Sequence, residues 1–188
     1  MNLESALRYS HTLLDQVVRV GDTVIDATVG NGNDTVYLAA SVGKAGHVYG
    51  FDIQAAGLEK TKTQLLLTGL LPQTTLIQDG HEHIDNHVPA DTEISAAIFN
   101  LGYLPGSDKT VVTHGETTIA AINQCLKMLQ AGGLVVVVSY YGHPGGKQEL
   151  TTLQSFLREL PQKKFQVLTY QFINQKNDPP ILFAIQKR

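Results

Sequence analysis

Residues 22–40 constrain the fold more than any other part of the chain. Asp22-Thr23-Val24-Ile25 is short and β-branched, the composition of a strand buried in a sheet. Thr35-Val36-Tyr37-Leu38-Ala39-Ala40 reads as the first turns of a helix. Between them lies Asp26-Ala27-Thr28-Val29-Gly30-Asn31-Gly32-Asn33-Asp34, with two glycines one residue apart. A strand that turns sharply into a helix through Gly-x-Gly lets a ligand approach bare backbone. It also aims the unpaired N–H groups of the helix at whatever binds there.

Three more short strands end in polar residues. Val48-Tyr49-Gly50-Phe51-Asp52 ends in an acid about 20 residues past Gly32, the spacing of a carboxylate that holds ribose hydroxyls. Thr75-Leu76-Ile77-Gln78-Asp79 ends in a second acid, and Ala96-Ala97-Ile98-Phe99-Asn100 leads into the turn-rich Leu101-Gly102-Tyr103-Leu104-Pro105-Gly106. In an open α/β sheet, the C-terminal ends of the strands are where ligands bind.

The remaining pattern completes a sheet. Apolar residues at helical spacing in 1–19 predict a helix that caps one face or end of it. Helices are predicted from residue 35 to near Gly43, over 54–68 and closing at Gly69, over about 113–130, and over about 147–160. Strands are predicted at 47–52, 74–78, 94–99 and 134–139. Two final strands, 164–172 and 181–187, have no helix between them and must pair as an antiparallel hairpin. Five β/α alternations followed by a hairpin differ from the repeated units of a dinucleotide-binding dehydrogenase. The expected fold is a three-layer, Rossmann-like α/β domain of the class I methyltransferase type. Its seven-stranded, mostly parallel sheet has the last strand running antiparallel beside the fifth, and one domain spans residues 1–188.

Bulk properties agree with such a fold and exclude others. Apolar residues make up 43% and charged residues 16%, ordinary for a soluble globular protein. No apolar run approaches the roughly 20 residues that span a bilayer, and the first residues lack a secretory pattern. With the single Cys125, this points to the cytoplasm. Cys125 falls at a core position of a predicted helix, where it serves as a small hydrophobe. A net charge of −3 argues against a generic nucleic-acid coat protein, though not against a local basic patch to which Lys147 could contribute.

The residues at the strand ends favour one ligand. Thr35 replaces the third small residue of Gly-x-Gly-x-x-Gly, which counts against a dinucleotide. Asn31 and Asn33 can both donate and accept, as a zwitterionic aminocarboxylate requires, with Asp26 or the helix N-terminus completing the set. S-adenosylmethionine carries that end group. Its ribose would pair with Asp52, Gln54 would lie along the ribose or adenine edge, and Asp79, Gly80 and His81 would frame the adenine. The competing reading of Asp26 and Asp34 is that they cap the turn and the helix. His83 and His87 would share a helical face, but no His-Glu-x-x-His pattern or third ligand accompanies them, so no metal is expected. Ser139 is followed by two tyrosines, unlike a nucleophile elbow.

Five segments together resemble one family: 26–35, Gly-Phe-Asp-Ile-Gln at 50–54, Gln-Asp-Gly-His-Glu at 78–82, Asn-Leu-Gly-Tyr-Leu-Pro-Gly at 100–106 and Tyr-Tyr-Gly-His-Pro-Gly-Gly at 140–146. With Asn177-Asp178-Pro179-Pro180, they look like the small bacterial YtqB-like methyltransferases, also called the MnmM family. Gly80 departs from that pattern, where many relatives carry Ser. The resemblance implies S-adenosylmethionine as cofactor and, as substrate, the aminomethyl group of 5-aminomethyl-2-thiouridine at the tRNA wobble position. Within it, Asn100 would accept a hydrogen bond from the amine, and Tyr103 together with Tyr140 or Tyr141 would stack on a splayed-out uracil. His143 would be a proton acceptor, and Lys147 would lie on the substrate side. The anticodon arm of tRNA is the expected partner, and a homodimer would enlarge the surface that grips it. A small-molecule or rRNA methyltransferase with the same cofactor site and a non-catalytic nucleotide- or RNA-binding module are the rival readings.

Overall fold

The computed structural model describes residues 3–102 and 115–188. The chain begins with α1 (Ala6–Val17), started by Ser5, whose hydroxyl accepts from the Arg8 N–H at 3.3 Å. There follow β1 (Thr23–Asp26), α2 (Asn33–Val42), β2 (His47–Phe51), α3 (Ala55–Thr68), β3 (Thr74–Ile77), the single-turn α4 (Ile84–His87) and β4 (Ile94–Leu101). The second half holds α5 (Gly115–Met128), β5 (Leu129–Ser139), α6 (Gly146–Glu159), β6 (Phe165–Tyr170) and β7 (Ile181–Lys187).

The seven strands form one sheet in the order β3-β2-β1-β4-β5-β7-β6. All neighbours from β3 to β5 are parallel, while β7 runs antiparallel to both β5 and β6. This is the class I arrangement expected from the sequence, including the closing hairpin. The order reverses at β1, whose neighbours are β2 and β4, and that switch point is where an open α/β sheet leaves a crevice.

Successive residues of a strand face opposite sides, so each central strand feeds two cores. Ile25, Ala97, Phe99, Val137 and Phe183 pack with Ile122, Cys125, Leu153 and Leu157 of α5 and α6. Val24, Ala96, Ile98, Val136 and Leu182 pack with Leu14, Leu38, Ala39 and Leu65 of α1, α2 and α3. Strands buried on both faces read as continuous apolar runs, which is why Val135 to Val138 carry no alternation. Among the described residues, no helix is long and apolar enough to cross a membrane.

Three boundaries differ from those read in the sequence. Helix α2 begins at Asn33, because Gly32 itself takes the left-handed conformation at its N-cap (φ 81°). Helix α5 stops at Met128, and Leu129 pairs with Ile94 before the chain bulges, so that Leu134 pairs with Ala96. The bulge moves the helix end two residues earlier than Gly132-Gly133 implies. Strand β4 continues through Asn100 and Leu101, opposite Val138 and Ser139. Asn100 therefore sits on a strand paired with β5, two residues beyond the last one that β1 pairs, and not in a loop.

Candidate active site

A cavity of about 520 Å³ opens over the C-terminal ends of β1 to β5. Its size suits a small molecule or cofactor. Gly30, Asn31 and Asn33 form one wall, Asp52 and Gln54 a second, and Asp79, Gly80 and His81 a third. Asn100 closes the β4 side, with Tyr140, Gly142 and His143 from the segment after β5.

The glycine loop is braced from behind by α3. A Cβ on Gly57 would lie 2.6 Å from the Gly30 carbonyl oxygen, and one on Gly32 would lie 2.7 Å from Thr61 Cγ2. Gly32 is therefore an element of packing and turn geometry, absent from the cavity lining. The Asn31 side-chain oxygen accepts from Lys60 Nζ at 2.8 Å, a second tie to the same helix.

Asp52 is held by backbone. Its two oxygens accept from the Gly30 N–H at 2.7 Å and the Gln54 N–H at 2.8 Å, which fixes the carboxylate between the glycine loop and the start of α3. Asp79 is held by side chains: His83 Nδ1 and His87 Nε2 each lie 2.8 Å from one of its oxygens, and the Gly80 N–H donates at 2.8 Å. Hydrogen bonds from His87, His83 and Gly80 keep this carboxyl well below the usual carboxylate range. The bond to Asp79 in turn raises His83. These two histidines thus serve an acid of the cavity wall, and among the described residues no group of three His, Cys, Asp or Glu side chains could hold a metal.

His81 is buried, and its Nδ1 lies 3.2 Å from the Ala27 carbonyl oxygen, so that nitrogen carries the proton and donates. Burial lowers its pKa and keeps the ring neutral. Nε2 is then a bare acceptor, buried and without a hydrogen-bond partner among the described residues. Asn100 offers a second acceptor of this kind. Its backbone N–H donates to Thr28 Oγ1 at 2.7 Å, its side-chain NH₂ donates to Asp34, and its Oδ1 is buried with no partner among the described residues. Buried acceptors are normally satisfied, so two orphans on residues lining one cavity mark places where a ligand supplies N–H or O–H groups.

Asp26 is fully buried beneath the lining, with its oxygens accepting from the Thr28 N–H at 3.1 Å and Thr35 Oγ1 at 2.6 Å. Thr35, the residue that breaks the dinucleotide pattern, is there to hold this acid. Burial and the neighbouring Asp34 push Asp26 up to about 7. Tyr140 lines the cavity and remains 40% exposed; burial, then the Asp34 charge, raises its phenol. Tyr141 packs against the core and Lys147 lies 3.9 Å from Asp178, both outside the lining. Tyr103 lies outside the described residues.

Sequence reasoning passed over two acids. Asp34 lines the cavity and bonds both Asn100 and His11 rather than capping its helix. Asp178 lines it from the far side, where Asn177 and Asp178 hold consecutive positive φ angles of 67° and 49° before Pro179-Pro180. Two such residues in succession are strained, and the Asn-Asp-Pro-Pro string was the available signal.

The profile of the family described as "Putative rRNA methylase" matches residues 48–186. The chain belongs to this family. It is 44% identical to a solved "putative rRNA-methylase" from Clostridium thermocellum, with a TM-score of 0.97 and full coverage of both chains. A "putative methyltransferase" from Streptococcus mutans, solved in complex with S-adenosylhomocysteine, is 40% identical, with a TM-score of 0.91 over 99% of each chain. The chloroplastic tRNA (mnm(5)s(2)U34)-methyltransferase of Arabidopsis thaliana is 35% identical over 98% of this chain and 70% of that protein. The methyltransferase expectation is therefore met at the level of family, fold and chemistry.

Proposed function

We propose that the chain uses S-adenosylmethionine to methylate the amine of 5-aminomethyl-2-thiouridine at the wobble position of tRNA. The observation that carries the reading is the buried Oδ1 of Asn100, a cavity-lining residue, which has no hydrogen-bond partner among the described residues. The plant relative's name supplies the RNA, the modified base and the position. The cavity residues fit the cofactor: Asp52 offers its remaining lone pairs to ribose hydroxyls, His81 Nε2 offers an acceptor to the adenine, and Asn31 and Asn33 border the aminocarboxylate end. When bound, the cofactor supplies an electrophilic methyl group on a sulfonium.

The chain's own residues orient and desolvate. Asn100 Oδ1 accepts an N–H from the substrate amine and turns the nitrogen lone pair toward the methyl. Orientation of this kind is the main source of rate in a direct displacement. Tyr140, half out in solvent, offers a face on which an unstacked base can rest. His143 stands on the same rim as a candidate acceptor for the proton the amine must lose. A cytoplasmic setting and a homodimeric assembly belong to the same reading, and sedimentation checks the assembly.

The test is methyl transfer from labelled S-adenosylmethionine to anticodon arms with and without the aminomethyl group, with ribosomal RNA as the alternative that the family's description favours. Label confined to the aminomethyl RNA supports the assignment. Label on ribosomal RNA alone overturns it.

A further inference from the structure

The two ends of an asparagine amide have the same shape and differ only in that one accepts and the other donates. For the reaction proposed above, the difference decides the outcome. An Oδ1 facing the amine accepts a hydrogen bond from one of its N–H groups and leaves the lone pair free. A reversed amide would donate to the nitrogen and occupy the lone pair that must attack. Something has to hold Asn100 the right way round.

We propose that His11 and Asp34 form a clamp that fixes the orientation of the Asn100 amide, which makes both of them positioning residues for methyl transfer. This rests on the amine-methylating function proposed above. An Asp34 carboxylate only accepts, so the Asn100 group beside it must be the NH₂. The other Asp34 oxygen lies 2.6 Å from His11 Nε2, which must donate to it for the same reason. The His11 ring is held in turn: it stacks on Tyr37 with 4.0 Å between centroids and 6° between planes, and the Tyr37 hydroxyl donates to Asp15 at 2.7 Å. Asp34 is buried while the His11 side chain is 29% exposed, so the clamp runs inward from the edge of α1 to β4. Among the described residues, the Oδ1 of Asn100 is left without a partner. Helix α1 precedes the β/α alternation that builds the sheet, and His11 ties it to the reacting end of the site.

The experiment compares Asp34→Leu, Asp34→Asn, His11→Leu and His11→Gln by kinetics on aminomethyl RNA, by calorimetry with S-adenosylmethionine, and by the side-chain ¹⁵N resonance of Asn100. Asp34→Leu and His11→Leu should lower kcat about 10- to 100-fold with little change in KM or cofactor affinity, and should shift the Asn100 resonance. Asp34→Asn can donate as well as accept, so it no longer dictates which end of the Asn100 amide faces it and should fall with the leucine variants, whereas His11→Gln keeps an N–H donor and should restore much of kcat and the wild-type resonance. Unchanged kcat in Asp34→Leu, or a loss of kcat with the Asn100 resonance unmoved, would overturn the proposal. A wild-type enzyme inactive on aminomethyl RNA would defeat the substrate assignment instead, and the resonance comparison would still decide whether the clamp exists.

Discussion

Replacing Asp26 by asparagine should stabilise the protein, by an amount that grows with pH. Asp26 is fully buried under the glycine loop, and its pKa is raised from 3.8 to about 7, first by burial and then by the charge of Asp34. A group whose folded pKa lies above its unfolded value binds more protons in the native state. Folding then loses free energy as pH rises from the unfolded pKa through the folded one. In the wild type this penalty is absent near pH 4, accumulates up to about pH 7 and is complete above it. A shift of about three units at about 1.4 kcal/mol per unit gives an upper limit of about 4 kcal/mol. The substituted amide would be neutral throughout and would carry no such slope. It can still accept from the Thr28 N–H through its oxygen, and its NH₂ can donate to Thr35 Oγ1. Other titrating groups are common to both proteins and cancel in the difference. Thermal melts from pH 4.5 to 8.5 should therefore show the variant's advantage opening by up to about 8–16 °C, at roughly 2–4 °C per kcal/mol for a domain of this size. Parallel stability curves across that range would refute the argument that Asp26 resists ionisation in the fold.

Three further outcomes are expected. Asn100→Ala should cut kcat about 100-fold and leave the dissociation constant for S-adenosylmethionine unchanged by calorimetry, because the residue faces the substrate end. Asp52→Ala should weaken cofactor binding about 10- to 100-fold, the loss of hydrogen bonds to a charged group worth about 1.5–3 kcal/mol, and equilibrium dialysis reads it directly. Gly32→Ala should destabilise the protein by about 1–3 kcal/mol in urea melts, since it places a side chain at φ 81° and against Thr61.

The sheet and the strand-end acids were legible because each is a local pattern. Gly30, Asn31, Asp52, His81 and Asn100 stand at the ends of short apolar runs, and topology brings such ends together. What escaped depends on distant partners. Asp34 reads as a helix cap until His11, 23 residues earlier, and Asn100, 66 residues later, are seen to bond it. His83 and His87 look like surface residues or metal ligands until they are found turned back on Asp79. The start of β5 was hidden for a related reason: Leu129 belongs to the sheet only because Ile94 is its neighbour, and Gly132-Gly133 lies within the bulge that follows.

The placing of β7 between β5 and β6 has a consequence for synthesis. Translation delivers β6 first, yet β6 touches the sheet only through a neighbour that has not been made. Until residues 181–187 clear the ribosome, the nascent sheet ends at β5, with a long valine-rich border open to any passing strand. Of the seven strands the last to be made is thus a keystone, joining β6 to the rest of the sheet and covering the border of β5.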